Sequence, residues 1–268
     1  MTKREALNGK PYAGNPHVRF DEGKIASTAT SRRGSLLYNL STVVFSILTV
    51  LMPLDSFAAK GGYLEDAVSA PGKRSSTLPE VLLIGDSIRI GYCAAVAEAL
   101  KGKAEVRWPK GNCQNSQTIL IALPRWRGLV ASPKVVQFNC GHWDAACWDG
   151  DEDAITSVDE YARNIRKIIR RIRRYWPETK IVFATTTPMN PDPNGRKGRN
   201  SRTTESIRRY NEAALAVAES EGIVVNDLFS VTEKWPSSDY SDYCHFNRQA
   251  AKRLGRIVAE RLVKEVCP

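Results

Sequence analysis

From residue 80 onward, short unbroken apolar runs alternate with stretches of helical periodicity, and this alternation limits the fold more than any other feature of the chain. Residues 81–84 (Val-Leu-Leu-Ile) read as a buried strand, and residues 88–100 as an Ala-rich helix that stops before Gly102. Residues 104–108 form a weaker strand, 135–138 a third, 181–184 a fourth and 223–225 a fifth. Between the third and fourth, Tyr161, Ile165, Ile168 and Ile172 repeat at helical spacing. Ser157 and Glu160 make a capping box at the start of that helix, and Pro177 follows its end. Residues 206–219 predict a helix stopped near Gly222, and Asn247 caps a last one with Ala251, Leu254, Val258 and Leu262 on one face. Continuous apolar strands separated by helices require a parallel sheet covered on both faces. Such sheets bind ligands beyond the carboxyl ends of their strands, so the residues just after each strand are the candidates for chemistry. At 268 residues, 42% hydrophobic and 25% charged, the chain is able to bury such a core and lacks the composition of a disordered one.

Upstream lies a different kind of segment. Residues 35–54 carry no charge and are just long enough to cross the hydrocarbon core of a bilayer as a helix. Arg32 and Arg33 precede the run and Asp55 follows it, which keeps the N-terminus in the cytoplasm and exports the rest. Ser56-Phe57-Ala58-Ala59 supplies small residues after which a signal peptidase cuts. Two readings stand side by side: a cleaved signal peptide with a long leader, and an uncleaved transmembrane signal-anchor. Residues 1–34, with seven Lys/Arg against three Asp/Glu, read as a disordered basic leader, residues 55–79 as a linker, and 80–268 as the folded domain. The expected location is periplasmic or extracellular, secreted or held by a single N-terminal membrane helix. A net charge of +10 favours anionic surroundings, but export argues against nucleic acid as the partner.

Two short motifs carry chemistry. After the first strand comes Gly85-Asp86-Ser87-Ile88, which sets the Ser87 hydroxyl near a helix N-terminus, where the dipole and free amides favour developing negative charge. Ser87 reads equally well as a plain N-cap on this motif alone. Far downstream, Asp242-Tyr243-Cys244-His245 sets a carboxylate and an imidazole three residues apart before the last helix. The carboxylate then orients the imidazole, which takes a serine proton. Of the chain's three histidines, His17 lies in the leader, so only His142 and His245 remain as base.

With these residues the sequence resembles the SGNH (GDSL-type) hydrolase family. Gly85-Asp86-Ser87 matches its first block and Asp242-x-x-His245 its last. Residues 181–188, Tyr210-Asn211-Glu212 and residues 222–227 (Gly-Ile-Val-Val-Asn-Asp) are similar to it as well, so the resemblance spans about residues 80–265. It implies a flavodoxin-like three-layer α/β/α sandwich with five parallel strands in the order 2-1-3-4-5. It also implies Ser87 as nucleophile, His245 as base and Asp242 as its orienter, with an acyl-enzyme resolved by water or another alcohol and no metal or organic cofactor.

The third block departs from the family. Where Gly-x-Asn-Asp is usual, this chain has Gly141-His142-Trp143-Asp144, with Trp143 in the Asn position. The Trp143 indole and the Asn139 amide are candidate oxyanion donors here, as are Gly111 and Asn112 after the second strand. Losing one such donor costs on the order of 100- to 1000-fold in rate. His142 reads as a structural or substrate-contacting residue rather than the base. Trp143 and Trp148 suit stacking on a sugar ring or plain packing.

All six cysteines follow the apolar run, and Cys113, Cys140, Cys147 and Cys244 fall in loops at the predicted catalytic edge. At least one disulfide is expected there in an exported domain. Asp149, Asp151, Asp153 and Glu160 take calcium-loop positions, but Ala154 occupies the turn position that needs glycine, so an acidic lead-in to the helix is the simpler reading. Arg163, Arg166, Lys167, Arg170, Arg171, Arg173 and Arg174 form its polar face. The expectation is an exported serine esterase acting on a small-molecule or glycan ester, in particular a carbohydrate O-acetyl group. Its rivals are an O-acyltransferase of the same type and a non-catalytic glycan-binding module.

Overall fold

The computed structural model describes residues 77–192 and 200–267. In chain order the elements are β1 (Glu80–Ile84), α1 (Ser87–Ala99), β2 (Glu105–Arg107), α2 (Ser116–Trp126), β3 (Pro133–Phe138), β4 (Cys147–Trp148) and α3 (Val158–Tyr175). They continue with β5 (Lys180–Ala184), β6 (Asn200–Ser201), α4 (Thr204–Ser220), β7 (Val224–Asn226), α5 (Leu228–Thr232) and α6 (Arg248–Val266). One five-stranded parallel sheet has the order β2-β1-β3-β5-β7. Counting its strands alone, that is 2-1-3-4-5, as expected. β4 and β6 form a separate antiparallel ribbon that pairs Cys147 with Ser201 and Trp148 with Asn200.

Alternation along each strand splits the core in two. Leu82, Ile84, Val136, Phe138, Ile181 and Phe183 face α2, α3 and α4, where they meet Ile119, Ile165, Ile168 and Ala214. Val81, Leu83, Val135, Val182 and Ala184 face the other way and meet Tyr92 and Val96 of α1 and Leu254, Val258 and Leu262 of α6. Each such side chain contributes about 1.5–3 kcal/mol when fully buried. The sheet therefore holds only with helices on both faces, which brings every strand out at the same edge.

Helix α2 was not foreseen, because its short apolar run contains Pro124. Asn115 caps it, accepting from Thr118 N at 2.9 Å. Proline has no N–H for the carbonyl four residues back. Here that carbonyl, on Leu120, accepts instead from the Arg171 guanidinium of α3. Arg166, Arg170 and Arg173 converge on Glu221, the C-cap of α4, so part of the basic face clamps one helix to the next. Only half of the expected capping box forms: Ser157 Oγ accepts from Glu160 N, but the Glu160 carboxylate accepts from Gln117 of α2. The full reciprocal box occurs at α4, between Thr203 and Ser206.

Among the described residues no helix is long and apolar enough to cross a membrane. The run 35–54, the leader 1–34 and most of the linker 55–79 lie outside them.

Helices α1 and α6 approach closely at Gly255. A Cβ there would come within 2.6 Å of Ala95 Cβ and 2.8 Å of the Tyr92 carbonyl oxygen. Gly255→Ala is expected to lower unfolding free energy by about 1–3 kcal/mol despite alanine's higher helix propensity, measured by urea denaturation. An unchanged or raised midpoint would show that the two helices separate without cost.

Candidate active site

The turn after β1 is built by Asp86, not Ser87. Asp86 is the N-cap of α1, and its Oδ1 accepts from Ile88 N at 3.0 Å. Ser87 is thus the first helical residue, with its hydroxyl free of capping duty. On the far side of the sheet edge, the loop before α6 turns on Asp242, whose Oδ1 accepts from the backbone N–H groups of Cys244 (2.9 Å) and His245 (2.8 Å). Its Oδ2 meets His245 Nδ1 at 2.7 Å, and His245 Nε2 meets Ser87 Oγ at 2.7 Å. The fold thus brings together three residues separated by up to 158 positions. Burial works to raise the Asp242 pKa, but the two loop amides and the His245 ring outweigh it and hold the carboxyl below its ordinary value of 3.8. An ionised carboxylate accepts only, so Nδ1 carries the proton and Nε2 turns its lone pair to the serine.

The candidate oxyanion donors fare differently. Asn139 is buried, and its Nδ2 donates to Asp86 Oδ1 at 3.0 Å. It packs so closely over Gly85 that a Cβ there would come within 2.0 Å of its Oδ1. Its amide N–H, which the sequence offered to an oxyanion, here braces the Asp86 turn. The Asn112 side chain accepts from Gln114 N at 2.8 Å and closes its own turn. That turn leaves Gln114 at φ +53°, in the left-handed region. The loop carrying Gly111 and Asn112 nonetheless abuts the nucleophile turn, because Cys113 N donates to the Gly85 carbonyl at 3.1 Å. The Trp143 ring is half-buried and stacks on Trp148 with centroids 5.5 Å apart. Trp148 is 40% exposed.

His142 is buried rather than open to substrate. Its Nδ1 accepts from Arg202 Nε at 3.1 Å, so Nε2 bears the proton and donates to Thr187 Oγ1 at 3.2 Å. Burial, then the charges of Arg202 and His245, hold its pKa well below the ordinary 6.5. His142 is a neutral brace with both ring nitrogens engaged, and it is His245 that faces Ser87. Arg202 also donates to Cys244 Sγ at 3.3 Å and so ties this loop to that of His245. No local motif marks Arg202, whose histidine partner lies 60 residues away. Asp144 was likewise missed as an anchor: it takes both the N–H and the hydroxyl of Ser116, the latter at 2.6 Å, and burial pushes its pKa up to about 6.

No disulfide joins the cysteines among the described residues, which corrects the expectation of one at this edge. Sharing an edge did not give the loop cysteines a common direction. Cys113 Sγ accepts from Arg89, Cys147 turns to the Glu152 carbonyl, and Cys244 lies against Arg202. The acidic positions of the calcium-like pattern do not gather as ligands among the described residues. The grouping that does, Asp242, Cys244 and His245 within 4.8 Å, is the histidine loop itself. There Asp242 Oδ2 already serves His245, and burial pushes the Cys244 thiol up to about 12, which keeps it protonated.

A flavodoxin-like parallel sheet with both faces covered, opening at its carboxyl edge on an aspartate–histidine–serine series, describes a serine hydrolase. Residues 83–253 match the sequence model of the GDSL-like lipase/acylhydrolase family, and the chain belongs to that family. It is 28% identical over 209 residues to a GDSL esterase/lipase of Arabidopsis thaliana, covering 69% of this chain and 86% of the relative. It is also 28% identical over 181 residues to the isoamyl acetate-hydrolyzing esterase 1 homolog of Bos taurus, covering 62% and 72%. The fold is similar to that of a carbohydrate acetylesterase from Sinorhizobium meliloti, with TM-score 0.53 and 15% identity over 69% of this chain and 99% of the other. It is similar as well to an acetylxylan esterase from Geobacillus stearothermophilus, with TM-score 0.54 and 16% identity over 71% and 94%.

The His142 pKa is depressed in the folded state and ordinary in the unfolded one. Its contribution to stability is therefore complete above pH 6.5 and is lost as pH falls toward the folded value. Between pH 7.5 and 5.5 the wild type is expected to lose about 1 kcal/mol more unfolding free energy than His142→Asn, as read from urea midpoints. Equal losses would show that His142 is protonated inside the fold.

Proposed function

We propose that the chain is an exported serine esterase that removes O-acyl groups, acetyl foremost, from a carbohydrate. Ser87 is the nucleophile, His245 the general base and Asp242 its orienter. The observation that carries this reading is the continuous series of two 2.7 Å contacts from Asp242 through His245 to Ser87. Ser87 Oγ attacks the ester carbonyl carbon as His245 Nε2 takes its proton. The tetrahedral intermediate collapses, the ester C–O bond breaks, and His245 returns the proton to the leaving sugar hydroxyl. Water then repeats the sequence on the acyl-enzyme and releases the carboxylic acid. The N-terminal amides of α1 and the loop amides near Gly111 and Asn112 supply donors for the oxyanion.

The carbohydrate reading is supported by the exposed Trp148 face stacked on Trp143, a platform suited to a sugar ring. The names of the two acetylesterase fold neighbours point the same way. Export rests on the uncharged run 35–54 behind Arg32 and Arg33. Whether cleaved or kept as an anchor, that run leaves the folded domain on the outer side.

In the full-length protein, Ser87→Ala and His245→Ala are each expected to lower kcat/KM for p-nitrophenyl acetate by at least about 1000-fold, with Asp242→Asn following. Activity retained in either of the first two would overturn the assignment. Trp148→Ala is expected to raise KM for an acetylated oligosaccharide about tenfold and to leave p-nitrophenyl acetate hydrolysis unchanged. Equal effects on both substrates would remove the sugar platform. An acyl-enzyme that turns over only when a glycan acceptor is added would redirect the reading to acyl transfer.

A further inference from the structure

Arg89 is the largest fully buried side chain among the described residues, and it takes part in no ion pair among them. A buried cation with no direct ion pair is costly, so its surroundings must compensate it closely. They do so with backbone. Nε and Nη2 donate to the Gly85 carbonyl at 3.3 and 3.0 Å, Nη1 to that of Pro109 at 2.8 Å, and Nη2 to that of Gly111 at 2.6 Å. Cys113 Sγ completes the set at 3.5 Å. The carbonyls belong to two segments: the turn that delivers Ser87, and the loop that follows β2.

Peptide geometry gives the arrangement a consequence. In a trans peptide the carbonyl of one residue and the N–H of the next point in opposite directions, and no peptide among the described residues is cis. With the Gly111 carbonyl drawn onto Arg89, the Asn112 N–H is directed away from the guanidinium. With the Gly85 carbonyl shared between Arg89 and Cys113 N, the two segments are held at one fixed separation. A lysine in the same place would bring the charge but not the planar fork that reaches three carbonyls at once.

We infer that Arg89 is a positioning residue for ester hydrolysis. By gathering the carbonyls of Gly85, Pro109 and Gly111, it fixes the loop that presents oxyanion amides against the turn that presents the serine. The inference rests on Ser87 being the nucleophile.

The test compares the full-length wild type with Arg89→Met, which lacks the charge, and Arg89→Lys, which keeps the charge without the fork. Competent sites are first titrated with a fluorescent phosphonate ester, and kcat and KM for p-nitrophenyl acetate are then expressed per titrated site. The expected result is a fall in kcat per site on the order of 100-fold in Arg89→Met and roughly tenfold in Arg89→Lys, with KM within about threefold of wild type. A purely structural role would lower the number of titrated sites and leave each surviving site with wild-type kcat, which would overturn the inference. So would a change confined to KM, or the failure of both variants to fold. Absence of phosphonate labelling in the wild type, or undiminished labelling in Ser87→Ala, would instead refute the serine reading on which the inference stands.

Discussion

The structure depends on one constraint: a parallel sheet leaves neither face to water. Val81–Ile84 cannot be satisfied by a single layer, because Leu82 and Ile84 point to one side while Val81 and Leu83 point to the other. Helices must cover both sides, every crossover returns the chain to the same starting edge, and every strand discharges at the opposite one. That shared exit is why a serine after β1 and a histidine before α6 meet at all. The close seat of α6 on α1 at Gly255 completes the layer that carries the histidine loop to its place.

The exit edge is polar, yet much of it is buried, and the interior settles its charges by a consistent rule. Burial pushes the Asp86 pKa up against the opposing hydrogen bonds of Asn139 and Ile88. It does the same to Asp144, and it pushes His142 the other way. In each case desolvation is the leading cause and favours the neutral form. Asp242 escapes that rule because it is only partly buried and its loop supplies two amides and a ring. Asp86, Asp144 and His142 brace the edge from beneath the surface, while the carboxylate that orients the histidine sits at the rim. Arg89 is a buried cation held chiefly by backbone carbonyls.

Much of this was legible because the informative signals were local. The five sheet strands are short apolar runs, and Asp242 with His245 forms a single turn whose geometry follows from a spacing of three. What was not legible had a partner far away in sequence. Helix α2 was hidden by Pro124, and the chain tolerates that proline because Arg171 takes the orphaned carbonyl of Leu120, fifty-one positions before it. The Asn139 bond to Asp86 depends on Gly85, whose missing side chain admits the amide from another strand. The cysteines clustered at one edge in sequence, but their thiols turn to Arg89, Glu152 and Arg202 rather than to one another.

By itself, then, the sequence determined the layered architecture, the nucleophile turn and the histidine loop. Apolar periodicity, capping residues and short-range hydrogen bonding act within a few residues and are written where they act. Tertiary structure alone decided which buried polar groups serve as braces and how the loop after β2 is held. Those outcomes depend on desolvation and on donors brought from distant elements, which exist only once the chain has folded.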